Sequence, residues 1–229
     1  MTDSNAKYPR TVRPVTRLLR RRYEDFAHYN MRDPYRELVF IFCSTLTRES
    51  SYRRVYASFI RRFPSPATVA RASMHDLRKV LDPGGLGKRK AALVSGLFAS
   101  LMDTWGVGGL RAMRRLDDAS LERALIELPG IGKKSARCVM LYSFDREVFP
   151  VDTHCWRMAK RLGWIRGATL TPKMMDTLQG KIPPELRFSL HVNMLSHGRE
   201  ICRARNPRCQ VCIVNELCPK IGVRKSRRG

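Results

Sequence analysis

No stretch of this chain alternates apolar and polar residues for long enough to build a strand, whereas apolar residues recur at helical spacing almost throughout. Val55, Phe59 and Phe63 share one helical face in SSYRRVYASFIRRF, and Leu93, Leu97 and Leu101 share another after LDPGGLGKRK. Helix-start signals stand ahead of these runs. Asp33-Pro34 reads as an N-cap and first-turn proline before YRELVFIFCSTLT, and Ser65-Pro66 opens a helix through Val69. Ser73 with Asp76 reads as a capping box before LRKVL, and Asp117-Asp118 leads into LERALIEL. Thr171-Pro172 and Pro183-Pro184 punctuate two later helical segments. The pattern predicts an all-α chain of short helices and short connections, without an internal repeat of solenoid length.

Charge narrows the function. Forty-four Lys plus Arg against 20 Asp plus Glu give a formal charge of +24 and a pI near 10.7, beyond what solubility requires. A polyanionic partner follows, with nucleic acid foremost. A membrane surface would ask for a basic amphipathic helix with an aromatic and leucine face, or a long apolar run, and neither is present. The first 26 residues lack the apolar stretch of a secretory signal, so an intracellular, nucleoid-associated protein is expected, in which disulfides are disfavoured. Residues 1–22 are rich in Arg and read either as a flexible or partly helical basic arm or as a solvated surface segment. At 43% hydrophobic residues, the 229-residue chain can hold one large or two small packed domains.

Two motifs carry the chemistry. In IELPGIGKKSA, Gly130 and Gly132 flank the apolar Ile131 between two helical patterns, as in a helix, a tight hairpin and a second helix. Such a turn presents backbone N–H groups at a positive helix start, where a phosphate can approach closely because glycine has no Cβ. Lys133 and Lys134 fall in the first turn of the second helix, and further on Val-Asp-Thr-His places Asp152 at a probable N-cap. Taken singly, these are an ordinary connector, surface lysines and a cap. The Gly-rich loop in LDPGGLGKRK, with Leu86 and then Lys88, Arg89 and Lys90, could meet a second phosphate stretch, or simply be a turn before a basic helix start.

The second motif is Cys202, Cys209, Cys212 and Cys218, spaced C-x6-C-x2-C-x5-C. Four thiolates that close together in sequence can converge on one centre, and spacing alone admits zinc or an iron–sulfur cluster. Arg203, Arg205 and Arg208 sit within the first interval, so a metal would fix a basic loop. Cys43, Cys138 and Cys155 lie in apolar surroundings and read as buried small hydrophobes. His191 and His197 read as core or helix-contact residues, because four cysteines already complete a coordination shell; His28 and His75 carry no signal.

LPGIGKKSA, then VDTH, then the four-cysteine spacing, in that order, resemble endonuclease III, a helix-hairpin-helix DNA glycosylase, from about Asp33 to Pro219. The resemblance implies a [4Fe–4S] cluster at 202–218 rather than zinc. It implies two helical domains, a six-helix barrel over 29–146 and a cluster domain made of 1–28 and 147–229, with DNA in the cleft between them. It implies a monomer that acts on double-stranded DNA containing a damaged base or an abasic site. Lys134 takes the place of the amine that attacks the sugar C1′, after which a Schiff base and β-elimination cut the strand. Asp152 takes the place of the carboxylate that stabilises the sugar cation or frees the nucleophile. Lys134 also sets the chain apart from the adenine-mismatch branch, which lacks this lysine.

The chain departs from the family where the extruded base would sit. Leu46 stands where endonuclease III has a Gln that fills the vacated stack, and Ile126, beside Glu127, stands where the family has a Glu. Leu46 and Leu86 are the candidate wedges. Damaged pyrimidine is the expected substrate, with uracil, mismatched thymine or methylated cytosine as the alternative, and a non-catalytic duplex-binding protein as the rival class.

Overall fold

A computed structural model describes residues 8–45, 49–84 and 87–223, and the wedge candidates Leu46 and Leu86 lie outside them. Among the described residues every regular element is helical. The chain divides into two compact units, Tyr29–Arg146 and Met1–His28 with Glu147–Gly229. No single described helix is long and apolar enough to cross a membrane.

The unit formed by 29–146 is built around α2 (Pro34–Ser44). Asp33 caps it, its carboxylate accepting the Arg36 N–H at 2.8 Å, and Pro34 occupies the first turn. Tyr35 and the whole run from Glu37 to Cys43 are buried, so this helix is surrounded rather than laid on a surface. Around it stand α3 (Glu49–Arg62), α4 (Pro66–Ala70), α5 (Met74–Leu81), α6 (Gly87–Trp105), α7 (Gly109–Ala112), α8 (Asp118–Glu127) and α9 (Lys133–Ser143). Helices α3, α6 and α9 pack directly on α2. Phe59, Phe98, Leu77, Leu97, Leu101, Leu121 and Leu125 fill the interior, with Tyr35 edge-on to Phe98 at 5.4 Å.

Local chemistry at the helix starts differs in detail from the sequence pattern. Ser65 makes a full capping box with Thr68, because the threonine hydroxyl accepts the Ser65 N–H while Ser65 Oγ accepts that of Thr68. At Ser73 the box is incomplete: Asp76 accepts from the serine hydroxyl at 2.7 Å instead of from the serine backbone. Lys88 and Arg89 belong to the first turn of α6 rather than to a loop, and Lys90 is buried with its ammonium on the Cys43 carbonyl at 3.3 Å. Lys90 is thereby a structural cation, whereas Lys88 remains exposed.

In the other unit the basic arm is helical over Val12–Tyr23, as one of its readings allowed, but the helix is docked rather than flexible or wholly solvated. Helix α1 (Val12–Tyr23) is amphipathic, with Val12, Val15, Thr16 and Leu19 buried on one face and Arg13, Arg17, Arg20 and Arg21 on the other. Its apolar face packs on α12 (Arg187–Glu200), which also packs on α10 (Thr153–Arg161). The α10–α12 approach needs glycine: a Cβ at Gly198 would lie 2.7 Å from His154 Cβ. α11 (Pro172–Gly180) adds Leu178 to a core of Phe149, Val151, Met158, Trp164, Leu190 and Met194. Trp164 Nε1 donates to Thr11 Oγ1 at 2.8 Å and ties the start of α1 to this core.

Leu19→Ala should destabilise the cluster-bearing unit by about 2–5 kcal/mol, the usual range for a fully buried leucine. Thermal or urea unfolding measures it, whereas a solvated arm would show no change.

Candidate active site and metal centre

The hairpin is built by two backbone requirements. Gly130 has φ +79°, a conformation that side-chain-bearing residues rarely adopt, and a Cβ there would meet Leu93 Cδ2 and Phe42 Cε1 at 3.2 Å. Ile131, buried at 4% exposure, anchors the turn, and its N–H closes back on the Leu128 carbonyl at 3.1 Å. Gly132 is the N-cap of α9 and supplies no side chain, so no side-chain cap covers the first-turn N–H groups. Nothing lies within 4 Å of where a Gly132 Cβ would be.

The two adjacent lysines have different neighbours. Lys133 Nζ is 3.6 Å from Glu122 Oε2, and the same carboxylate accepts from the buried Arg137 Nε at 2.5 Å. Lys134 lies in the field of Glu37 on α2. Glu37 is fully buried, its Oε2 accepting the Met31 N–H at 2.6 Å while Oε1 has no hydrogen-bond partner. Desolvation pushes this carboxyl up to about 8, with the Met31 N–H and Lys134 pulling the other way, so it is an uncharged acid at neutral pH. Sequence reading missed Glu37; the signal was a single acid inside the otherwise apolar run YRELVFIF.

Asp152 belongs to the other unit. It caps α10, its carboxylate accepting the Cys155 N–H at 2.7 Å, and it is half-buried. Leu46 and Leu86 cannot be placed beside these groups, while Ile126 is 39% exposed at the end of α8.

Cys202, Cys209, Cys212 and Cys218 line one cavity, together with Met158, Leu162, Val214 and His197. Among the described residues no three His, Cys, Asp or Glu side chains converge closely enough for a single ion. A single zinc would draw its sulfurs to roughly 2.3 Å from one point. Four thiols that share one apolar cavity without converging on a single point suit a multi-iron cluster better. Arg161 Nη1 donates to Cys202 Sγ at 3.1 Å, and His197 Nε2 is 3.3 Å from Cys212 Sγ. His197 is fully buried, and desolvation with the nearby Arg22 takes its ring down to about 4, keeping it neutral. It was read from sequence as a core histidine, and it is one that also touches a cluster cysteine. Arg203, Arg205 and Arg208 are exposed on the loop.

These features define a class. A model of HhH-GPD superfamily base excision DNA repair proteins matches residues 41–184, and one for the iron–sulfur binding domain of endonuclease III matches residues 202–218. Endonuclease III of Thermotoga maritima is 30% identical over 187 residues, covering 81% of this chain and 83% of that protein. Thymine-DNA glycosylase of Aeropyrum pernix is 28% identical, over 85% and 86% of the two chains. The fold matches that of a trapped endonuclease III–DNA covalent intermediate, with TM-score 0.79 at 24% identity, over 94% and 96% of the chains. The chain belongs to the endonuclease III family, as a base excision repair DNA glycosylase whose cofactor is a [4Fe–4S] cluster.

Glu37→Gln should raise stability, and the gain should depend on pH. The folded-state value lies above the unfolded one near 4.5, so the native site favours the protonated form. The carboxyl therefore costs nothing below about pH 4 and progressively more as pH rises toward 8. The variant should match the parent near pH 4 and exceed it by about 2–4 kcal/mol at pH 8, read from melting curves across that range.

Proposed function

We propose that this glycosylase is bifunctional, excising a damaged base from duplex DNA through a Schiff base on Lys134 and then cutting the strand by β-elimination as a monomer. The observation that carries the reading is the difference between the adjacent lysines. Lys133 Nζ is engaged with Glu122 Oε2 at 3.6 Å and so is drawn toward α8. Lys134, about 100° further round the helix, faces a different neighbour, the buried carboxyl of Glu37. It also stands in the first turn of α9, beside the backbone N–H groups that would hold a phosphate.

Chemistry then proceeds in a defined order. The nucleotide must leave the duplex stack to be reached. Backbone N–H groups at Gly130, Gly132 and the first turn of α9 grip a neighbouring phosphate, and exposed Lys88 contributes a second phosphate contact. Lys134 Nζ forms a bond to C1′ while the base departs with the electrons of the glycosidic bond. Asp152 stabilises positive charge developing on the sugar; its cap bond to Cys155 fixes the carboxylate orientation. Nitrogen then loses a proton and the C1′–O4′ bond breaks as O4′ takes one up, opening the sugar to an iminium; this acidifies C2′, and loss of that proton expels the 3′ phosphate.

Cys202, Cys209, Cys212 and Cys218 hold the cluster, whose part is to fix the shape of the arginine-bearing loop. Damaged pyrimidine is the substrate by family. Leu46 and Ile126 replace the polar residues expected at the base, and the likeness to a thymine-DNA glycosylase favours uracil or mismatched thymine as the second reading.

Borohydride should trap the protein on abasic duplex. Lys134→Ala should abolish the adduct and Lys133→Ala should retain it; adduct persisting in Lys134→Ala would remove the assignment. Asp152→Asn should slow base release by at least about 100-fold while the duplex still binds, measured in single turnover over a panel of modified bases. Affinity for undamaged duplex should fall steeply between 50 and 200 mM salt, by roughly 10³-fold if six phosphates are contacted, because each contact releases counterions.

A further inference from the structure

A line of polar contacts runs from the cluster cavity to the protein surface within the unit made of 1–28 and 147–229. His197 Nε2 meets Cys212 Sγ at 3.3 Å, and its Nδ1 meets Tyr23 Oη at 3.1 Å. Tyr23 Oη is 3.0 Å from Glu200 Oε2 and receives the Arg22 Nε–H at 3.1 Å. Arg22 closes the set with a 2.6 Å ion pair to Glu200 Oε1. His197 and Glu200 lie three residues apart on α12, while Arg22 and Tyr23 end α1. The imidazole and phenol meet edge to face at 5.8 Å.

Proton counting orients this chain once the cluster is bound. A cysteine sulfur ligated to iron is a thiolate and can only accept hydrogen bonds. The nitrogen of His197 that faces it must therefore carry the hydrogen. A ring with one proton then offers Nδ1 as an acceptor, and the Tyr23 O–H is the donor within reach. Arg22, which bonds both the phenol oxygen and Glu200, makes up for the phenol hydrogen that Glu200 gives up.

We propose that His197 donates an Nε2–H···S hydrogen bond to the cluster-bound Cys212, and that Tyr23 is the positioning residue that holds the imidazole in the required tautomer and orientation. This rests on Cys212 being a cluster ligand. The consequence is a link between the docking of α1 and the electronics of a cofactor held 189 residues further along the chain, since Tyr23 is on α1 and Cys212 is in the loop. A hydrogen bond to a ligand sulfur favours the more negative state of the cluster, so this one raises its reduction potential. It also holds the sulfur against loss.

The test uses the full-length, cluster-loaded protein. Tyr23→Phe removes one hydroxyl and keeps the ring, and His197→Phe removes the donor. Both should move the midpoint potential of the duplex-bound cluster to more negative values. Both should also bleach the cluster's visible absorbance in air about tenfold faster, in line with the effect of losing an outer partner of a metal ligand. His197→Gln, whose amide offers an N–H, should fall between Phe and the parent. If Tyr23→Phe and His197→Phe both keep the parent potential and bleaching rate, the proposal is overturned. If His197→Phe does not load, Tyr23→Phe decides alone. Cys212→Ala separates the two levels: a full iron content in that variant removes the ligand assignment itself, whereas lost iron with unaltered Tyr23→Phe behaviour removes only the relay.

Discussion

Two guanidinium groups, that of Arg161 buried and that of Arg157 half-buried, determine whether the C-terminal loop has a shape at all. The loop from Cys202 to Cys218 has only one short turn of regular structure, at Cys209–Val211, and its carbonyls would otherwise have to be left to water. Arg157 donates to the carbonyls of Cys202 and Gly198 at 2.7 and 2.9 Å, and Arg161 donates to those of Arg203 and Ala204 at 2.7 and 3.2 Å. Both arginines project from α10, so the helix that Asp152 caps at its start is also the one from which the cluster loop hangs. Burying a guanidinium is costly unless its fixed fork of donors is matched, and here four carbonyls match it. Gly198 lets α12 come close enough to α10 to contribute one of them. The cavity, the thiols and the exposed arginines of the loop all follow from that fit.

The hairpin unit spreads its polar cost differently. Glu122 pairs with both Lys133 and Arg137, so it fixes one face of α9 by charge pairing. Glu37 has no ion pair of that kind and is kept uncharged by burial, which leaves one of its oxygens without a partner inside the apolar helix α2. A fold selected for stability alone would place leucine there, at a gain of a few kcal/mol by rough reckoning. Buried orphan polar groups of this kind cluster at working sites, and this one sits against the helix that carries Lys134.

Helix content and helix starts were legible in the sequence because they depend on neighbours a few residues away. Asp33-Pro34, Ser65-Pro66 and Thr171-Pro172 each cap the helix they announced. The glycine turn at 130–132 was legible for the same reason. The cysteine spacing announced a metal centre but left zinc open, since the separation of the sulfurs is a property of the folded loop. The docked face of α1 was missed because its dense arginines drew attention from Val12, Val15 and Leu19, whose spacing marks a buried face. His197 and Arg161 touch the cluster cysteines from 15 and 41 residues away, and no local pattern encodes such contacts.

The charge balance connects these local arrangements to the molecule's partner. Acidic residues are largely committed within the fold. Asp33, Asp117 and Asp152 cap helices, and Asp25, Asp76, Asp118, Glu122, Glu185 and Glu200 each meet an arginine. With 44 cations to 20 anions, pairing every acid once would still leave an excess of 24 positive charges. Many of the remaining cations, among them Arg53, Arg54, Arg61, Lys88, Arg89, Arg203, Arg205 and Arg208, are exposed. Packed at such density on a folded chain they repel one another and lower stability, a cost offset when a polyanion replaces the repulsion with attraction. The charge that composition reveals is therefore a standing strain on the free protein, and binding a phosphate backbone relieves it.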